Sequence, residues 1–185
     1  PAITSDSFDS SFCTLTFPAG SEKYYMSSKW FEIFYRYRYN SDGKEVKTYL
    51  ADSNTDQACY YYLIDGDTPN DNVAYLIKHR NDELTSFLVP ERITDTKDPN
   101  NPVRYRVVGI LNDAFNGKSK LSELKFHSRS KLEYIGPRAF TRCKISEVDF
   151  PETLTEIADS AFLRCRLKTL TLPASVKSIG KYSFA

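Results

Sequence analysis

The residues of this chain that could most readily act as a nucleophile, a base or a metal ligand are its histidines and cysteines: His79, His127, Cys13, Cys59, Cys143 and Cys165. A cysteine nucleophile needs a histidine beside it, and a zinc site usually needs closely spaced cysteine pairs. The nearest two cysteines are 22 residues apart. Both histidines lie in polar segments, where we expect them to be exposed. The sequence therefore predicts neither a cysteine–histidine catalytic pair nor a zinc site.

Carboxylates offer two further kinds of chemistry. Asp65, Asp67 and Asp71 could suggest calcium, but the twelve-position loop with its terminal glutamate is absent. These acids are typical of turns. No glycine-rich phosphate loop or metalloprotease motif is present either.

Glu147 and Asp149 could form the acid pair of a glycosidase, which requires two carboxyl groups that face each other. They lie along one segment instead, and threonines occupy the matching positions one repeat later, so a solvated face is the simpler interpretation. We therefore expect no enzymatic activity, no catalytic residue, no cofactor and no bound metal.

The elements that position these residues are set by a repeat. Three similar stretches occupy residues 132–140, 154–162 and 176–184, and their phenylalanines are 22 residues apart. A fixed period in this range is typical of a solenoid, in which each unit buries its apolar face against its neighbours. A degenerate earlier copy spans residues 107–126, and we expect its three extra residues to lie in surface loops at 117–119 and 127–130.

Within each repeat, a second apolar pattern follows the first. Residues 145–151 and 167–173 share it, and the alternation at 148–150 and 170–172 predicts short strands that end at proline. Gly136, Ala158 and Gly180 occupy positions where we expect the chain to turn. Cys143 and Cys165 occupy equivalent positions, and we expect them to stack in the core as reduced thiols rather than as a disulfide.

The pattern Ile-Gly-x-x-Ala-Phe, then Cys, then Leu-x-x-Leu-x-Leu-Pro, resembles the BspA-type leucine-rich repeat of bacterial surface proteins such as those of Bacteroides. The resemblance covers residues 105–185, about three and a half truncated units. Residues 38–104 resemble a small β-rich lead-in module, with a lead-in strand at 87–93. Residues 1–37 resemble the last coil and cap of a preceding array, with a helix candidate at 24–30. The implied fold is mostly β: a leucine-rich-repeat solenoid of short strands and turns with these two additions.

Three surfaces could bind a partner. In a solenoid, the outward positions of successive repeats form a continuous polar face, and a row of cations recurs at the repeat period. Tyrosine-rich strands upstream could stack on sugars. A plain solvated surface is an alternative in each case. The candidates are Glu147, Asp149, Lys168, Thr169 and Thr171 of the polar face, Arg142, Lys144, Arg164 and Arg166 of the cation row, and the tyrosines Tyr60 and Tyr62.

Composition and resemblance together indicate the class of function. The formal net charge of +1 gives no reason to expect nucleic acid as a partner, and no apolar run is long enough to span a membrane. The resemblance implies a fragment of an extracellular or cell-surface protein, a non-enzymatic scaffold for adhesion to a protein or glycan on a host or neighbouring cell. Alternatives are a structural spacer in a larger surface protein, or a carbohydrate-binding module of a nutrient-uptake system. Head-to-tail self-association through the two ends of the chain is a further expectation.

Overall fold

A computed structural model describes residues 59–185 and, ahead of them, the backbone of three strands, β1 (Leu15–Phe17), β2 (Arg38–Asn40) and β3 (Val46–Ala51). The cap predicted at residues 1–37, its helix candidate and Cys13 lie outside the described residues, apart from the backbone of β1. The remaining strands are β4 (Cys59–Ile64), β5 (Val73–His79), β6 (Ser86–Val89), β7 (Arg92–Asp95), β8 (Val103–Ile110), β9 (Glu123–Phe126), β10 (Tyr134–Ile135), β11 (Glu156–Ile157) and β12 (Ser178–Ile179). The described residues contain no helix, so this part of the chain is a mostly β repeat fold.

One sheet runs through the described part of the chain. Its strand order is β12-β11-β10-β8-β5-β4-β3, and β7 pairs with β8 off this path. The strands from β12 to β5 are parallel, whereas β5, β4 and β3 are antiparallel. The parallel part of the sheet therefore extends upstream of residue 105, because β5 pairs with β8. The division of the chain at 1–37, 38–104 and 105–185 stays a prediction.

Each of the last three coils contributes a two-residue strand to this sheet. Gly136 N donates to Ile110 O at 2.8 Å, and the equivalent bonds from Ala158 to Ile135 and from Gly180 to Ile157 measure 2.8 and 2.7 Å. The strands predicted at 148–150 and 170–172 are wrong. Those residues alternate in burial at 148–150 as expected. In that part of the coils, however, the strands within residues 59–185 are β6 and β9, which pair with each other.

A stack of aromatic rings forms the centre of the core. Phe115, Phe140, Phe162 and Phe184 lie parallel, with successive ring centroids 4.9, 5.1 and 5.6 Å apart. The first three are fully buried, and burial of such a ring contributes about 2–3 kcal/mol to folding. The 22-residue period therefore corresponds to one ring per coil, as the repeat predicted.

His79 begins this stack, and the expectation that it is exposed is wrong. The residue is completely buried, and the centroid of its ring lies 5.7 Å from that of Phe115. The backbone N–H of His79 donates to Ala114 O at 3.1 Å. Phe115 and Phe140 make the same backbone bond to the following coil, at 2.8 and 2.7 Å. His79 thus occupies the phenylalanine position of a coil that precedes the predicted array.

The same upstream coil supplies β6. Leu84, Phe87 and Val89 are buried, and Phe87 and Val89 pair with the buried Leu124 and the partly buried Phe126 of the next coil. The lead-in strand predicted at 87–93 is therefore divided between β6 and β7, and β6 belongs to the coil that precedes the predicted array. The signal was present in the sequence as Leu84-x-x-Phe87-x-Val89-Pro90, which matches the second pattern of the later repeats.

Turns in the array are made by residues with left-handed backbone. The φ angles of Asp113, Arg138, Ser160 and Tyr182 are 58°, 55°, 58° and 58°, one in each of four coils. Gly136 and Gly180 lie two residues earlier. The chain turns where predicted, since Gly136 O and Ala158 O accept the bonds that close two of these turns, from Ala139 N and Ala161 N at 3.2 and 3.3 Å. A Cβ at Gly136 would lie 2.8 Å from Leu111 C, so the glycine allows two coils to approach closely.

Candidate binding surfaces

The outward face that follows each turn forms a polar groove, which we define by its exposed residues Ser122, Glu123, Lys125, Glu147, Asp149, Thr169 and Thr171. The groove measures about 570 Å³ and runs across three coils. Leu124, Phe126 and Val148 form its floor, and Leu88 of β6, half exposed, lies at one end. The structure thus brings together four predicted residues, Glu147, Asp149, Thr169 and Thr171. Lys168 is exposed but does not line the groove.

Charge in the polar groove is predominantly negative. Glu123 pairs with Lys125 two residues along β9. Glu147 and Asp149 make no ion pair with any other residue of 59–185. The two carboxylates accept hydrogen bonds, and the neighbouring threonine hydroxyls both donate and accept them. The negative charge of the carboxylates favours a partner with positive charge.

Four cations form a second surface, the basic ridge, at the turn that precedes the groove: Arg142, Lys144, Arg164 and Arg166. All four are exposed. Backbone bonds hold the two coils side by side here, since Arg142 N donates to Leu163 O and Arg166 N donates to Ile145 O, both at 2.9 Å. Neighbouring hydrogen-bonded segments are about 4.8 Å apart, so the ridge is a compact two-by-two group of charges.

The coil before the ridge carries cations that are already neutralised. Lys118 pairs with Asp82, and Lys120 pairs with Glu83. The Lys118 ammonium lowers the pKa of the Asp82 carboxyl through a hydrogen bond and through its charge. In contrast, no ridge residue forms an ion pair with another residue of 59–185. The ridge therefore differs from the preceding coil in that its four cations keep their charge unpaired within residues 59–185.

Arg142 and Arg164 hold this charge at a conformational cost. Their φ angles are 65° and 61°, and Gly117 takes φ 78° at the equivalent position of the previous coil. A left-handed residue other than glycine costs about 1–2 kcal/mol. At this left-handed position the coil before the ridge has glycine, and the two coils of the ridge have arginine.

The tyrosines of β4 are divided between the surface and the interior. Tyr60 is 37% exposed, whereas only 8% of Tyr62 is exposed, and Tyr62 packs with Ile64, Leu111 and Tyr134. The structure does not bring these tyrosines to the basic ridge or to the groove. Tyr62 presents little surface to a sugar ring.

Potentially reactive groups in the described residues are held in structural roles. Cys143 Sγ donates to Phe115 O at 3.3 Å, and Cys165 Sγ donates to Phe140 O at 3.1 Å, one coil further on. Burial raises the pKa of Cys143 to about 12 and that of Cys165 to about 11. Both thiols are free and stacked, as predicted, and poorly suited to act as nucleophiles.

The other candidates for chemistry lie apart from one another. Nδ1 of the partly exposed His127 lies 3.7 Å from Oε2 of Glu91. The same oxygen pairs with Nε of Arg129 at 3.0 Å. Asp65 accepts a hydrogen bond from the buried phenol of Tyr105. The pKa of Tyr105 is raised mainly by burial and also by this hydrogen bond. Among the described residues, no three histidine, cysteine or acidic side chains form a group that could hold a metal ion. In the same residues, no helix has the length and apolar character to cross a membrane.

The stacked coils, with one short parallel strand and one buried ring in each, define a leucine-rich-repeat solenoid. More specifically, residues 108–185 match the model of the BspA type leucine-rich repeat region in six copies.

Solved structures have the same fold. The chain is similar to a leucine-rich repeat protein from Bacteroides capillosus, with 24% identity and a TM-score of 0.53 over 71% of this chain and 86% of that one. It is also similar to a leucine-rich repeat protein from Bacteroides ovatus, with 27% identity and a TM-score of 0.50. That match covers 70% of this chain and only 31% of the longer protein. A comparison with curated proteins gives no match.

Proposed function

We propose that this chain is part of a non-enzymatic cell-surface or secreted adhesion scaffold that binds a protein ligand along the polar groove. The observation that carries the proposal is the groove itself, in which Glu147 and Asp149 have no ion-pair partner among residues 59–185 and lie beside a floor of apolar side chains. Such a surface combines free charge with apolar area that a partner can cover. The BspA-type array supports the general role, since repeats of this kind are typically interaction modules.

The half-exposed Leu88 indicates where contact with a ligand would be strongest. It lies at the end of the groove where β6 and β9 pair, and it is one of few large apolar side chains of the described residues at the surface. An exposed apolar side chain adds affinity when a partner covers it, and the charges nearby direct association. A ligand with an apolar group at one end and cations along the next two coils fits this arrangement.

Binding of the intact chain to a panel of extracellular-matrix proteins and glycans tests the proposal. The variant Glu147→Lys with Asp149→Lys reverses the free charge of the groove and is expected to weaken binding of a protein ligand at least about ten-fold. Its matched control, Glu133→Lys with Glu152→Lys, makes the same charge change at exposed positions outside the groove and should bind like the unmodified chain.

Equal loss of binding in both variants would show that the effect comes from net charge, and that the groove is not the binding site. If the unmodified chain binds nothing on the panel, the adhesion function is wrong and the spacer role replaces it.

A further inference from the structure

We propose that the basic ridge is a separate binding site for a linear sulfated glycan. The inference rests on the proposed function, because it assumes that the array meets extracellular ligands. It concerns a different surface, since none of the four ridge residues lines the polar groove.

The charges of the basic ridge are exposed and unpaired within residues 59–185. Three guanidinium groups and one ammonium group are exposed on two adjacent coils, and none forms an ion pair within residues 59–185. Arg138, by contrast, is neutralised across coils by Asp113 through two hydrogen bonds of 2.9 and 2.6 Å. The ridge thus retains charge that a ligand can neutralise.

The ridge itself contains no exposed large apolar side chain. The residues that alternate with the cations, Cys143 and Cys165, lie against the core and donate to carbonyls. Protein interfaces depend on apolar and aromatic contacts at their centre. Among residues 59–185, the large hydrophobic side chains that are exposed all lie outside the ridge: Tyr60, Leu88, Leu170, Ile179 and Tyr182. A partner whose affinity comes from charge alone suits the ridge better than an acidic protein.

The arginine side chains of the ridge favour sulfate as the anion. Guanidinium binds tetrahedral and planar oxyanions through two parallel N–H donors, and it is more weakly hydrated than an ammonium group. Three of the four ridge residues are arginine, and two of these are kept at left-handed positions where glycine would fit without strain. Sulfate groups spaced along a sugar chain can each meet one such donor pair across the coil spacing of about 4.8 Å.

The experiment measures binding of the intact chain to a heparin-type oligosaccharide between about 50 and 200 mM salt. Its desulfated counterpart and a single-stranded DNA of equal charge serve as comparison ligands. The ridge variant is Arg142→Gly with Arg164→Gly, chosen because glycine adopts the same backbone without strain. The control, Lys131→Gln with Lys177→Gln, removes two exposed charges from the other side of the coils, next to β10 and β12.

We expect the ridge variant to bind the sulfated oligosaccharide about ten-fold more weakly, with a salt dependence reduced by about one for each cation removed. The control should retain both affinity and salt dependence. Unchanged affinity in the ridge variant, or equal loss in the control, overturns the proposal. Equally tight binding of the desulfated sugar or of DNA overturns the assignment to a sulfated glycan. A chain that binds a protein through the groove but ignores the sulfated glycan loses this inference alone, and the proposed function stands.

Discussion

Single residues in this array are constrained by backbone geometry as much as by contacts. Arg142 and Arg164 have positive φ, which the preceding coil achieves with Gly117. Residues at these positions face solvent, so their identity has little effect on packing. Their stability effects should therefore follow conformational preference.

Replacement of Arg142 tests this relation. We expect Arg142→Gly to raise the free energy of unfolding by about 0.5 kcal/mol, because relief of a strain of about 1–2 kcal/mol exceeds the chain entropy that glycine adds. Arg142→Val should lower it by at least about 1 kcal/mol, since a β-branched residue is poorly tolerated at positive φ. Urea denaturation of both variants gives the two differences. A glycine variant less stable than the valine variant would contradict the assignment of strain.

The two stacked thiols predict how stability depends on pH. Burial raises the pKa of Cys143 from 9.0 to about 12 and that of Cys165 to about 11, so both remain protonated in the folded chain when they ionise in the unfolded chain. Protons then favour the folded state, and stability is full below pH 9 and declines as the pH rises toward 11. One pH unit above 9.0, Cys143 should account for a loss of about 1 kcal/mol.

Unfolding measured by denaturant at pH values below 9 and at about 10 checks this expectation. In Cys143→Ala the alkaline decline should be smaller, because the buried thiol is removed. A decline of the same size in this variant would assign it to other groups.

At the scale of elements, the sequence predicted the coils wherever the repeat kept its characteristic residues. The spacing of Phe140, Phe162 and Phe184 predicted one buried ring per coil, and the two cysteines were correctly expected to stack. Periodicity was sufficient for these features because each depends on one residue type that recurs at one depth in the core.

The coil that begins at β5 was missed for a physical reason. His79 replaces the phenylalanine there, and Asp82 and Lys118 occupy the column that cysteines fill in later coils, each three residues after the ring. A polar residue in a polar segment predicts exposure, whereas the stack with Phe115 buries His79 through tertiary contacts. The short strands were misplaced because in-and-out burial does not by itself specify which segment pairs with its neighbour.

The candidate surfaces were predictable in composition but not in pairing. The polar face and the cation row follow directly from the outward positions of the repeat. Which cations are neutralised does not, because Asp82 and Glu83 lie 36 and 37 residues before their partners Lys118 and Lys120. Long-range ion pairs of this kind depend on the stacking register, which the sequence pattern of one coil does not contain.

For the molecule as a whole, stacking implies that stability is shared only between neighbours. Phe140 contacts Phe115 and Phe162 on either side, and Phe140→Ala should lower the free energy of unfolding by about 3–5 kcal/mol. We expect faster hydrogen exchange in the coils from 132 to 185, with β4 and β5 remaining protected, because those strands pair away from the lesion. Loss of protection to the same degree in β4 and β5 would indicate a single cooperative unit.

Because the phenylalanine stack sets the shape of the array and the outward side chains set what it binds, shape and specificity can evolve separately. Ring centroids 4.9–5.6 Å apart fix the distance from coil to coil from inside. Outward side chains such as those at 142 and 164 can therefore be exchanged by point mutation without altering the spacing at which they are displayed. An array of this kind can acquire a new ligand, or escape recognition by an antibody, through surface substitutions alone, while its scaffold stays the same.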